Sequence, residues 1–324
     1  MSIVVTGVAG FIGSHVAQAL LARGEAVIGL DNMNAYYDVR LKEARLDPLR
    51  AEAGFTFYPV DISDRVAVGD ALGRHPDISD IVHLAAQAGV RHSLVDPYSY
   101  VQSNVMGHLV MLEAARAIPA LRHFVYASSS SVYGANQDMP FRETDAVDTP
   151  VSLYAATKRA DELMSHSYAH LFGLPQTGLR FFTVYGPWGR PDMAYFSFAR
   201  AIMEGTPITL YDGGTLKRDF TYIDDIVSGV VGCLPHPPEG AVPARILNIG
   251  NHRAERVSEL VALLEASLGR TAIVRSVPRP ATDVAETYAD VAEIGALTGF
   301  RPRTPLSEGI PRFAAWFKGW NGPR

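Results

Sequence analysis

The apolar positions fall into short runs first and helical stripes second. Ile3-Val4-Val5 is a β-branched run of the kind that forms a strand buried on both faces. Phe11, Ile12, Val16, Ala19 and Leu20 then recur at helical spacing until Gly24. Residues 26–30 predict a second strand, 55–58 a third and 81–84 a fourth. A helical pattern from about 97 to 117 leads to a fifth strand at 123–127, and a helix over 154–172 precedes a sixth at 177–182. Strands alternating with helices predict an α/β fold, a doubly wound parallel sheet with ligands at the carboxyl ends of its strands. After Phe182 the rhythm loosens into the loop 185–191, dense in glycine, proline and aromatics, with proline clusters at 235–238 and 278–280. Asp224-Asp225 reads as the N-cap of a helix.

Gly7, Gly10 and Gly13 stand between the first strand and the first helix, with Phe11 and Ile12 opening that helix. Glycines let the backbone approach a pyrophosphate, and the helix N-terminus favours its charge. The second strand ends on Asp31, placed to accept hydrogen bonds from a ribose diol. Asp31 is followed by Asn32, Met33 and Asn34, with no adjacent arginine for a 2′-phosphate, so NAD is favoured over NADP. Asp61 and Ile62 follow the third strand where an adenine edge would lie. Leu84, Ala85 and Ala86 follow the fourth, where small residues suit close approach to a cofactor. Residues 1–182 are therefore expected to form an NAD-binding domain, and 183–324 mainly a smaller α/β substrate lobe interleaved with the sheet.

Composition narrows the partners. Of 324 residues, 48% are hydrophobic and 19% charged, which supplies a core, and the net charge of −5 offers no basic field for nucleic acid or anionic membrane. The single cysteine, Cys233, excludes an internal disulfide and fits a reducing compartment. No apolar run approaches the ~18 residues that span a bilayer, and Met1 leads into Ser2-Ile3-Val4 without a basic leader. The expectation is a cytoplasmic protein.

Tyr154 and Lys158 are one helical turn apart on one face. An ammonium near a phenol draws its pKa down from about 10, as a base acting on a hydroxyl requires. Alone, the pair also fits a solvated helix. With Gly7/Gly10/Gly13, Asp31, Asp61-Ile62, Leu84-Ala85-Ala86, Asn104 and the run Ser128–Ser131 before Val132-Tyr133-Gly134, it resembles the extended short-chain dehydrogenase/reductase family, in its nucleotide-sugar epimerase branch. That resemblance covers nearly the whole chain. It implies a Rossmann sheet and a tightly held NAD contacted by those residues, Tyr154 and Lys158 among them. It also implies a helix-mediated homodimer. In it Tyr154 takes the proton of a sugar 4-hydroxyl, Lys158 holds the tyrosine and the nicotinamide ribose, and Ser129 orients the hydroxyl.

Dehydratases and decarboxylases of this kind carry an acid beside the catalytic serine or threonine, where this chain has Ser130 and Ser131. Oxidation followed by re-reduction is the simpler chemistry left. In galactose-type relatives asparagine typically follows Arg-Phe-Phe. Here Thr183 does, and the stretch through Arg190 is similar to UDP-glucuronate 4-epimerases. A uronic acid would give Arg190 a carboxylate to clamp with paired bonds, with Arg91 a second candidate. Ser129, Ser130 and Thr183 complete the expected sugar contacts. By the same resemblance Arg218 reaches the diphosphate of a UDP-sugar, Tyr211 lines the uracil and Asp283 lies near the ribose, while Arg279 is offset from a phosphate position by a residue. The alternatives are UDP-glucose 4-epimerase, UDP-glucuronate decarboxylase and a reductase that releases its cofactor. His166 and His170 have metal-ligand spacing but lack the glutamate of a zinc hydrolase, so no metal is expected. No nucleophile elbow surrounds Ser129.

Overall fold

The β-branched run becomes β1 (Ser2–Thr6), and the stripe behind it becomes α1 (Phe11–Ala22). β2 (Ala26–Leu30), α2 (Val39–Arg50), β3 (Phe55–Tyr58), α3 (Arg65–Leu72) and β4 (Ile78–His83) continue the alternation. The structure is a computed structural model and describes residues 1–279 and 284–320. The helical pattern after β4 is interrupted: α4 (Pro97–Tyr100) passes through a π-helical turn (Val101–Met106) into α5 (Gly107–Arg116). β5 (His123–Ser129), α6 (Leu153–Phe172) and β6 (Gln176–Phe181) follow. Alternate side chains of each strand go to opposite cores, Ile3 and Val5 to one and Val4 to the other, as burial on both faces demands.

Beyond residue 182 come β7 (Thr183–Tyr185), α7 (Ala194–Glu204), β8 (Pro207–Tyr211), β9 (Lys217–Arg218), β10 (Phe220–Tyr222), α8 (Ile223–Cys233) and β11 (Ala244–Ile249). β12 (Glu255–Arg256), α9 (Val257–Leu268), β13 (Ile273–Val277), β14 (Glu286–Thr287), α10 (Ala292–Thr298) and α11 (Leu306–Gly319) end the described chain. Two of these elements belong to the main sheet layer. β11 pairs in parallel with β6, which gives a seven-stranded parallel sheet in the order β11-β6-β5-β4-β1-β2-β3, and α8 packs on α1. Asp224 and Asp225 do not cap α8. Tyr222 holds the cap position, and the acids sit in the first turn, where Asp225 accepts from the Thr304 amide at 3.0 Å. Carboxylates there still face the helix dipole favourably.

In the parallel register Thr6 stands beside Leu30 and His83, and His83 beside Tyr126. β1 to β4 therefore stop along one line, β5, β6 and β11 end together three residues farther on at Ser129, Phe181 and Ile249, and the segments that follow β1 to β6 open into one cleft.

Candidate active site

At the first of these strand ends the chain turns through Gly7, whose φ of +69° suits glycine. A Cβ on Gly13 would stand 2.1 Å from the Gly7 carbonyl oxygen, so α1 presses against the turn as only glycine permits. No side chain caps α1 at Gly10, which leaves the first N–H groups of the helix for an anion. Buried Asp31 accepts from the amides of Ala9 (3.1 Å) and Met33 (2.9 Å), and Lys42 from α2 lies 3.6 Å away. Thr6 Oγ1 accepts from the Leu84 and Ala85 amides at 3.1 and 3.0 Å and ties the loop after β4 to the turn after β1.

The resulting cleft measures about 500 Å³. Gly7, Gly10, Phe11, Ile12, Gly13, Asp31, Asn32, Ile62, Leu84, Ala85 and Ala86 line one part of it, and Ser129, Ser130, Tyr154, Lys158, Thr183, Arg190 and Arg218 line another. Ser152 caps α6 by accepting from the Ala155 amide at 3.1 Å, which fixes the helix turn that carries Tyr154. Lys158 is almost wholly buried, and its ammonium donates to the Ala127 carbonyl at 2.8 Å and to Asp161 at 3.1 Å. Ser129 Oγ lies 2.5 Å from Ser131 Oγ and accepts from the Ser131 amide at 3.2 Å. Behind this wall Glu162 is taken up by Ser128, Arg159 and an Arg180 fork at 2.8 and 3.0 Å. Among the described residues that line the cleft, Asp31 alone is acidic, and it lies three strands along the sheet from the serine run.

Four expected contacts lie outside the lining. Asp61 accepts from Asn32 Nδ2, the Ser63 amide and the Ser63 hydroxyl, which engages its carboxylate locally. Asn104 sits in the π-helical turn and bonds the Gln87 backbone in both directions and Thr157 Oγ1, so it joins the loop after β4 to α6 one layer back. Arg91 and Tyr211 meet each other, guanidinium to phenol at 3.2 Å. The Arg279 amide donates to Asp212 Oδ1 at 3.0 Å, and Asp283 lies outside the described residues.

Arg190 differs from its expected geometry. Its Nε and Nη2 donate to the two oxygens of Asp192 at 3.0 and 2.6 Å, so the fork meant for a substrate carboxylate is engaged and Nη1 remains. Burial works against the Asp192 carboxylate, yet the guanidinium outweighs it and holds that carboxyl below its usual range. Tyr36 donates to Asp192 at 3.3 Å and lines the cleft. The backbone of this loop is fixed from α2. Arg45, 3% exposed, spends all five N–H groups on the carbonyls of Trp188, Gly189 and Ala9 and on the Tyr37 hydroxyl. Trp188, at a φ of +61°, packs against Trp316 and Trp320.

Residues 3–250 match the NAD dependent epimerase/dehydratase family. The chain belongs to this family. It is 46% identical to a probable UDP-glucuronate 4-epimerase of Rhizobium meliloti (strain 1021), over 98% of this chain and 97% of that one. It is likewise 46% identical to UDP-glucuronate 4-epimerase 1 of Arabidopsis thaliana, over 99% of this chain and 78% of that one. Among solved structures, the UDP-glucuronic acid 4-epimerase of Bacillus cereus in complex with UDP-glucuronic acid and NAD superposes with a TM-score of 0.90. The two are 34% identical, over 98% of this chain and 99% of the other.

The cleft of this epimerase/dehydratase family member fits NAD on its own terms. The uncapped helix N-terminus would suit a diphosphate and Asp31 a ribose diol, and the small side chains of Ala85 and Ala86 leave room beside them. Sequence reasoning missed Tyr36, Lys42, Arg45, Asp161 and Asp192. One signal was available for two of them: on α2 Lys42 and Arg45 share the buried face of Leu41, Leu46 and Leu49, an unusual place for cations.

Proposed function

We propose that this protein catalyses NAD-dependent C4 epimerisation of a UDP-uronic acid, interconverting UDP-glucuronate and UDP-galacturonate. The supporting observation is the lining of the cleft, where Tyr154, Lys158 and Ser129 share a wall that holds serines and no acid. Bound NAD supplies the acceptor and donor of a hydride. Tyr154 receives the proton of the sugar 4-hydroxyl and returns it when the ketone is reduced from its other face. Lys158 supplies the positive charge one turn below the phenol, and Ser129 orients the hydroxyl and the ketone oxygen. Gly7, Gly10, Phe11, Ile12, Gly13, Asp31, Asn32, Ile62 and residues 84–86 hold the cofactor in this reading. Asp61 and Asn104 support them from behind.

A uronic acid adds a hazard. Oxidation at C4 makes a β-keto acid, which loses carbon dioxide when its carboxylate stands perpendicular to the ketone plane. Nη1 of Arg190, with the hydroxyls of Ser129, Ser130 and Thr183, would hold that group while the ring turns over. Arg218 takes the diphosphate, and Tyr211 with Arg91 stands toward the base. We place the protein in a reducing cytoplasm, where its lone Cys233 stays a thiol. We also infer a homodimer. α6 exposes Leu163, Leu171 and Phe172, the π-helical turn exposes Val101 and Met106, and a second copy of this face would cover them.

The decisive experiment incubates purified protein with UDP-glucuronate and no added cofactor, then separates the products. UDP-galacturonate is the expected product. UDP-xylose would replace epimerisation by decarboxylation, and turnover only on added NADH would indicate a reductase. Tyr154→Phe should lower turnover at least ~10²-fold while NAD stays bound. Undiminished epimerisation by that variant would remove Tyr154 from its role.

A further inference from the structure

Asp161 lies one turn beyond Lys158 on α6, 1% exposed, and has no place in the reaction as drawn so far. One oxygen, Oδ2, accepts from the Lys158 ammonium at 3.1 Å, and the other, Oδ1, is buried without a hydrogen-bond partner. A buried carboxylate oxygen without a partner is costly, so the site is shaped by something other than stability alone. The ammonium has three N–H groups. Asp161 and the Ala127 carbonyl take two and leave the third for the cleft that Lys158 lines.

We propose that Asp161 is a positioning residue for the reaction: with the Ala127 carbonyl it anchors the Lys158 ammonium and offsets part of its charge, and so sets how strongly that ammonium acts on Tyr154. The proposal rests on the epimerase reading for its catalytic meaning and on the ion pair for its physics. The groups that surround the pair are few. Glu162 is adjacent on α6 and paired with Arg180 of β6, Tyr126 faces from β5, His83 from the end of β4 and His108 from α5. Burial depresses both histidines below their usual range, so neither adds charge near neutrality. Burial raises the Asp161 carboxyl to about 7 despite the ammonium beside it, so its charge is adjustable where the enzyme works.

The test compares NAD-loaded wild type, Asp161→Asn and Asp161→Ala. Asparagine keeps the shape and an oxygen for Lys158 but removes the charge. One readout is the pH profile of kcat/KM with UDP-glucuronate. The other is tyrosinate absorbance during a pH titration of substrate-free protein, with the same variant carrying Tyr154→Phe subtracted. For Asp161→Asn the acid limb of the profile and the Tyr154 component of the titration should both move down by about one pH unit, with NAD content unchanged. Asp161→Ala should lower kcat about tenfold, and asparagine should restore most of that. If both variants merely melt earlier while profile and titration stay put, Asp161 is a packing residue and the proposal falls. If no form turns over UDP-glucuronate, the epimerase reading fails separately. The absorbance titration then decides alone, a shift supporting the anchoring role and no shift overturning it.

Discussion

Arg190 shows how far a residue type can be trusted before its neighbours are known. The resemblance assigned its guanidinium to the sugar, and Arg190 lines the same part of the cleft as Ser129 and Tyr154. What the resemblance did not reveal is Asp192, two residues on, which occupies the fork. The pair carries no net charge, so selectivity for an acidic sugar depends on what the substrate carboxylate can draw from Arg190. Arg190→Ala should lower kcat/KM for UDP-glucuronate by about 10²-fold and for UDP-glucose far less, since a charge-assisted contact is lost only to the acid. Equal losses for both sugars in steady-state assays would assign Arg190 to loop structure. Asp192→Asn should then raise affinity for the acidic sugar, because the guanidinium is no longer balanced.

Among the elements, the first six strands and α6 were legible in the sequence, because period and glycine punctuation act locally. The interruption of the 97–116 helix was not. A π-helical turn arises from contacts across the fold, here Asn104 reaching Gln87 and Thr157. Nor was α2 read as part of the site, although Arg45 joins the glycine turn at Ala9 to the Arg190 loop at Trp188 and Gly189. Arg45→Met would bury a similar volume and strand those carbonyls. Denaturant unfolding should show a loss on the order of 3 kcal/mol, with weaker NAD retention. A variant as stable as wild type that still lost activity would show that α2 acts only through geometry.

For the whole molecule, buried ionisable groups set an acid limit. His83, His108 and His123 are buried and neutral, and burial lowers His83 to about 3 and His123 to about 4. The folded chain resists their protonation, so the unfolded chain takes up protons first as pH falls below about 6.5. Stability is then lost by up to about 1.4 kcal/mol per pH unit for each histidine. Asp161 and Asp219, raised by burial to about 7 and about 6, act in the opposite sense, because the folded chain holds their protons more tightly. The three histidines outnumber these two acids, so the five groups together lower stability as pH falls from about 6 to about 4. Chemical denaturation across that range should show this slope, and His123→Gln should flatten it. Stability that rose on acidification would mean the carboxyl groups govern.

β11 has a consequence for how this chain is made. The sheet it completes is begun at Ser2, yet the strand that covers the flank of β6 is translated only at 244–249. Until that segment leaves the ribosome, a nascent chain presents the backbone of β6 along an open flank, the kind of surface on which neighbouring chains aggregate. α1 waits in the same way for α8. The sheet therefore cannot be completed until residue 249 has been made.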